Sequence, residues 1–238
     1  MILAAAAFVA RTVTVDGVAH DYRVWVPATY DRARKWPAIL FLHGSGERGD
    51  ENQKQISVGL GPALRDGKLH PQAIVIFPQC REGQRWVGAP RKIAIAALDA
   101  TEREFLIDRN RVALTGMSMG GAGAWILAAD DPKRWSALAP VCAYVHRPPS
   151  LPDADNPTAE SFDDFAKRLP RIPIWIFHGS DDTVVPVTES REMARALGVN
   201  AAYTEFAHTG HNAWDPAYTQ THVVEWLTRQ RRQRRPSE

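Results

Sequence analysis

The stretch from Arg111 to Gly121, RVALTGMSMGG, constrains this chain more than any other part of it. Val112 to Thr115 are apolar or β-branched without alternation, the pattern of a strand covered on both faces. Gly116-Met117-Ser118-Met119-Gly120 follows at once and fits G-x-S-x-G, a strand-to-helix turn that lifts a serine clear of a sheet. A serine hydroxyl is a weak nucleophile and reacts only where a base can reach it. Glycines two places before and two after leave room for the backbone of so sharp a turn, and the small residues 121–124 keep the first helical turn thin. A helix beginning there aims its free N–H groups and its positive end at the serine, where an oxyanion would develop. Three fixed positions in five also occur in ordinary glycine-rich turns. The strand before and the helix after are what carry the argument.

The rest of the chain alternates strand and helix patterns. Residues 8–15 and 22–27 alternate apolar and polar around Asp16-Gly17, the pattern of an antiparallel hairpin. Continuous apolar runs at 38–42 and 73–78 predict buried strands, and 135–142, 172–177 and 201–206 predict three more. Helices are expected at 91–106, 120–129, 160–169, 188–197 and 218–229, with a weaker one at 53–68. The segment 143–157 is proline-rich and irregular. The expected fold class is α/β: a doubly wound, mostly parallel sheet with an antiparallel N-terminal hairpin and no large cap. A single domain over 1–238 accounts for all of it.

Composition narrows the function classes. The 45% hydrophobic and 24% charged fractions are those of an ordinary globular chain. Net charge is +2, but Arg229, Arg231, Arg232, Arg234 and Arg235 fall in the last ten residues, and without them the body carries −3. That excludes a polyanion-binding body, and no aromatics interleave the basic tail, so no nucleic-acid partner is expected. The tail reads as a frayed, solvated helix end. Cys80 and Cys142 are too few for a metal site or a disulfide framework and read as two free buried thiols. No apolar run reaches membrane-spanning length. Residues 2–10 are apolar but lack a positive start and are short for a signal peptide, which leaves the compartment open between cytoplasmic and secreted after loss of a leader.

In open α/β sheets function sits at the carboxyl ends of the strands. Those ends deliver His43-Gly44-Ser45-Gly46, then Ser118, then Asp181 and Asp182, then His208 and His211. A nucleophile, an acid and a base thus follow successive strands in the order Ser, Asp, His. With His43-Gly44-Ser45-Gly46-Glu47-Arg48-Gly49, Gly116-Met117-Ser118-Met119-Gly120-Gly121, His178-Gly179-Ser180-Asp181-Asp182-Thr183-Val184-Val185-Pro186 and Gly210-His211-Asn212-Ala213-Trp214, the chain resembles the α/β-hydrolase esterases. Its nearest likeness is to the carboxylesterase, dienelactone-hydrolase-like, "predicted peptidase" and feruloyl-esterase-like group.

The resemblance implies Ser118 as nucleophile, His211 as base and Asp182 as acid, since H-G-x-x-D-x-x-V-P lands on Asp182 and G-H-x-x-W on His211. Asp181 and His208 are then loop residues. It implies an oxyanion hole from the N–H groups of Met119 and Ser45, with Gly46 as the alternate to Ser45, and structural roles for His43 and His178. Glu47 and Arg48 either pair with each other or line the entrance. Trp86, Trp125 and Trp214 are the candidates for an aromatic wall, Trp86 as a substrate contact and Trp214 chiefly as a buttress of the base loop. The expected activity is hydrolysis of short-chain or aryl carboxylic esters through an acyl-enzyme, with a small-molecule ester as partner, no metal and no cofactor. Feruloyl-esterase or polyester-depolymerase activity, a peptidase, and a silent hydrolase-fold binding module are the alternatives.

Overall fold

Alternation of apolar and polar residues pairs the first two strands, β1 (Ala7–Val15) and β2 (Val18–Val26), in the register Val15↔Val18. The two residues between them, Asp16 and Gly17, have φ of 50° and 79°, the positive values that a two-residue turn needs to match the twist of its strands. The computed structural model describes residues 5–146, 148, 160–169 and 172–232. Of the proline-rich stretch 143–157, residues 147 and 149–157 lie outside them, as do 1–4 and 233–238.

Six more strands complete one sheet: β3 (Trp36–Leu42), β4 (Ile74–Pro78), β5 (Ile107–Met117), β6 (Leu138–Val141), β7 (Ile174–Gly179) and β8 (Ala201–Phe206). Their order is β1-β2-β4-β3-β5-β6-β7-β8. The hairpin joins β4 antiparallel, and every pair from β4 to β8 is parallel. Every residue of β3 and β4 is buried, as their unbroken apolar runs require.

Side-chain alternation divides the core in two. Leu40, Leu42, Ile74, Ile76 and Leu114 pack with α2 (Ala89–Glu104), α3 (Met119–Asp130), α4 (Phe162–Lys167) and α5 (Thr188–Leu197). Ile39, Phe41, Val75, Phe77 and Ala113 pack with α1 (Leu60–Arg65), α6 (Trp214–Gln220) and α7 (Val223–Arg229) on the other face. Each such buried side chain contributes roughly 1.5–3 kcal/mol of apolar transfer. This is the doubly wound α/β-hydrolase architecture with its antiparallel N-terminal hairpin. Because β3 to β8 run one way, Leu42, Met117, Val141, Gly179 and Phe206 finish along a single edge.

Two expectations are corrected. The closing helix at 218–229 is two helices. Thr221 adopts φ −114°, ψ 172°, its hydroxyl donates to Ala217 O at 2.6 Å, and it accepts from the Val223 N–H at 3.2 Å, so its side chain takes the place of the helical bond and restarts the helix. The basic tail does not fray as far as Arg232. Arg231 reaches Asp108 at 3.2 Å, and Arg232 donates from its backbone to Asn110 O and from its guanidinium to Asn110 and Lys133 O, each at 2.9 Å. Acceptors at the amino end of β5 and just after α3 hold it down.

Trp125 fills the core of α3 at 1% exposure and meets Phe165 of α4 edge to face, whereas Val199 is fully exposed. Trp125→Ala should lower unfolding free energy by about 3–5 kcal/mol, and Val199→Ala should change it by less than about 0.5 kcal/mol. Urea denaturation followed by circular dichroism checks both.

Candidate active site

Ser118 lies between the end of β5 and the start of α3 with φ 53° and ψ −120°. Its N–H donates to Val141 O at 2.9 Å, and its carbonyl accepts the Ala122 N–H at 3.0 Å, so β6 and the new helix fix it from both sides. A Cβ on Gly116 would run into Gly120 O, and one on Gly120 into Leu42 O and His43 O. The elbow closes only with glycine at those two places. Met119 is the first residue of α3, so its N–H has no partner within the helix.

Three loops meet this serine. His211 Nε2 lies 2.9 Å from Ser118 Oγ, and His211 Nδ1 lies 2.7 Å from Asp182 Oδ2. An ionised carboxylate only accepts, so Nδ1 carries the hydrogen and Nε2 is left to accept from the serine hydroxyl. Ser118 is 6% exposed and the Asp182 side chain fully buried. Burial alone would push the Asp182 carboxyl up. The imidazoles of His178 and His211 and the Val185 N–H outweigh it and hold the carboxyl well below the usual range. Asp182 Oδ1 also accepts from Val184 N–H at 2.8 Å and Val185 N–H at 2.9 Å. The carboxylate is therefore aimed at His211 and kept charged where an ordinary carboxyl would begin to protonate.

Asp181 and His208 stand apart from this array. Both are exposed and face each other at 3.9 Å, with φ 53° at His208 and the Asp181 N–H spent on Thr209 O. Adjacent in sequence to the array, they point to solvent.

The loop after β3 passes beside the serine. A Cβ on Gly44 would come within 3.7 Å of Ser118 Cβ. Ser45 begins a short 3-10 turn, Ser45–Glu47, and is exposed. Glu47 and Arg48 do not pair. Burial raises the Glu47 carboxyl against hydrogen bonds from the Gly44 and Glu47 N–H groups, a reach-back from the third residue of the turn to its cap. The Arg48 guanidinium donates to Ser45 O at 2.8 Å. His43 pins the loop from below. Its Nε2 accepts the Cys80 N–H at 3.0 Å, Nδ1 faces Gly44 O at 2.6 Å, and burial lowers its pKa to about 4.

Of the three tryptophans two are buried and one lies against the base. Trp86 is no open wall: it is 1% exposed, its indole N–H donates to His43 O at 2.9 Å, and it presses on α3 where a Cβ on Gly123 would strike it. Large, apolar and carrying one donor, it serves best where both body and donor are satisfied, under the loop. Trp125 is core. Trp214, half-buried at the start of α6, sets its ring perpendicular to that of His211 at 5.3 Å.

Cys80 and Cys142 are free and buried, and burial pushes the Cys80 thiol up to about 12. Cys142 Sγ, an Asp182 oxygen and a His211 nitrogen lie within 4.8 Å of one another. The Asp182 oxygens are already committed to protein donors and burial keeps the thiol protonated, so the group forms a packed underside and not an open coordination shell. Sequence reasoning treated His178 as bracing only its own loop, yet its Nε2 lies 3.2 Å from Asp182 Oδ2.

Comparison with known proteins gives the family and the fold. A protein of Arthroderma benhamiae described as "Uncharacterized secreted protein" is 25% identical, matching 77% of this chain but 22% of its own length. The crystal structure of a thermostable esterase is 32% identical and superposes with a TM-score of 0.78 over 94% of this chain and 63% of that one. The chain thus spans about a fifth of the first and under two-thirds of the second. A ferulic acid esterase of Anaeromyces mucronatus shares the fold at 18% identity, with a TM-score of 0.67 over 90% of this chain and 89% of that one. The family described as "Putative esterase" matches residues 95–230, more than half of the chain and the span from within α2 through Ser118, Asp182 and His211, and the chain belongs to that family.

Proposed function

We propose that this chain is a serine carboxylesterase that hydrolyses short-chain or aryl carboxylic esters through an acyl-enzyme, acting as one domain over 1–238. The observation that carries the reading is the unbroken line from Ser118 Oγ to His211 Nε2 at 2.9 Å and from His211 Nδ1 to Asp182 Oδ2 at 2.7 Å. Family membership and the 32% identity to an esterase support an ester as the substrate.

His211 takes the Ser118 proton as the hydroxyl attacks the ester carbonyl. Asp182 holds the tautomer and stabilises the imidazolium. The Met119 and Ser45 N–H groups receive the oxyanion. His211 then gives its proton to the leaving alcohol, and a water that it activates cleaves the acyl-serine. Trp214 buttresses the base. No helix among the described residues is long and apolar enough to cross a membrane, and the partner is a small ester.

The depression beside Met119, between Trp86, Ala122, Ile126 and Tyr144, has room for about one water, which speaks against a long acyl chain. Met119, Trp86, Ala122 and Tyr144 are almost wholly buried there, so little apolar surface is left to cover a long chain. Each methylene gains at most about 0.8 kcal/mol when fully buried.

Ser118→Ala and His211→Ala should each lower kcat on p-nitrophenyl butyrate by roughly a million-fold, and the double variant should be little worse, because both act in one proton transfer. His208→Ala should stay within about twofold, as an exposed side chain remote from the serine. A fluorophosphonate probe should label the native chain and not Ser118→Ala. Labelling that survives the substitution overturns the nucleophile, and a chain that never labels is a silent fold.

Across p-nitrophenyl esters from acetyl to palmitoyl, kcat/KM should peak between acetyl and butyryl, with methyl ferulate tested alongside. A steady rise to palmitoyl below its micelle concentration would require an acyl channel. Trp86→Ala should lower thermal stability and affect aryl and alkyl esters alike, in keeping with a braced loop.

A further inference from the structure

His178, near the end of β7, is fully buried and has no part in the proton transfers described above. Its ring is nonetheless tied at both nitrogens. Nε2 lies 3.0 Å from Val185 O and 3.2 Å from Asp182 Oδ2. Nδ1 lies 2.7 Å from the hydroxyl of Ser190 on α5, itself 2% exposed. A carbonyl and an ionised carboxylate can only accept, so Nε2 carries the hydrogen and shares it between them. Nδ1 is then a lone pair, and the Ser190 hydroxyl must donate to it. Val185 O and Asp182, which only accept, thereby select the tautomer, and the Ser190 hydroxyl on α5 completes it by donating.

Asp182 Oδ2 thus stands between two imidazole N–H groups, His211 at 2.7 Å and His178 at 3.2 Å, while Oδ1 takes the Val184 and Val185 N–H groups. Other groups face this cluster. They are the Cys142 thiol after β6, the Ser118 hydroxyl, and Glu205, opposite His178 on β8, whose carboxylate is engaged by Arg191 and Tyr203.

We propose that His178 is a positioning residue for the reaction proposed above: its Nε2–H, on a ring steadied by the Ser190 hydroxyl, holds the Asp182 carboxylate in line with His211 and draws negative charge away from it. The inference rests on the Ser118–His211–Asp182 reading. A carboxylate without this donor turns more charge toward His211 and favours the imidazolium. The base then loses its proton only at higher pH, and the acid limb of kcat/KM moves upward.

The test is the pH dependence of p-nitrophenyl butyrate hydrolysis by the native chain, His178→Leu, His178→Gln and Ser190→Ala, with Ser118→Ala as control. His178→Leu should move the acid limb up by about half to one pH unit, part of the worth of one hydrogen bond to a charged acceptor. It should lower kcat about tenfold with KM within about twofold, because the carboxylate is no longer held in line as His211 takes the proton. His178→Gln supplies a carboxamide N–H and should bring the limb at least half of the way back. Ser190→Ala should move it in the same direction by less. A residue that only braced its loop would lower kcat in the Leu and Gln variants alike and leave the limb in place, and that result overturns the proposal.

Nitrogen-15 NMR of the native chain gives a readout that needs no variant to fold. His178 Nε2 should be protonated and Nδ1 bare at neutral pH, and the opposite tautomer or an imidazolium overturns the proposal. If Ser118→Ala retains activity, the catalytic reading itself falls. If Ser118→Ala is inactive and the limb is unmoved, only the role of His178 falls.

Discussion

The backbone of Ser118 is the constraint on which the rest depends. A non-glycine residue at φ 53° and ψ −120° carries a cost of roughly 1–3 kcal/mol and persists only where its surroundings leave no alternative. Here Val141 O takes its N–H, Ala122 takes its carbonyl, and Gly116 and Gly120 let β3, β5 and α3 close to backbone contact. The strain lifts the hydroxyl out of the sheet edge and turns the first N–H groups of α3 toward it. Straightening the turn would relieve the backbone and bury the hydroxyl. The sheet's close packing around β3 and β5 prevents that.

Opposite the elbow a second unfavourable term is offset, that of burying a charge. Moving a carboxylate out of water is costly unless donors replace its hydration. Asp182 meets two backbone N–H groups and two imidazoles, which more than compensate its burial. Those donors come from its own loop, from β7 and from the loop before α6, and Ser190 on α5 orients one of them. The acid is consequently fixed by groups on several elements, and the direction in which it presents its charge to His211 follows from their convergence.

Much of this was legible along the chain because it depends on local rules. Unbroken apolar runs mark strands covered on both faces, and Asp16-Gly17 marks a hairpin turn whatever lies around it. Glycine spacing marks the elbow. Two departures share a cause, side chains that answer to a partner distant in sequence: Arg232 found Asn110 122 residues away, and Trp86 found the carbonyl of His43. The third is local, since Thr221 breaks the last helix through Ala217 O and the Val223 N–H within the same turn. An aromatic in a loop after a strand looks like a wall until the loop folds back over it.

The sequence by itself determined the order of elements, the strand ends at which Ser118, Asp182 and His211 emerge, and the glycines without which the elbow cannot close. These are properties of neighbours a few residues apart. The motifs around Asp182 and His211 already separated them from Asp181 and His208; only the tertiary structure decided the distances that join Ser118, His211 and Asp182, and that His178 shares the acid. Hydrogen-bond distance between residues tens of positions apart depends on how β5, β7 and β8 lie in one sheet. A shift of one residue in a loop reverses which side chain points to the core.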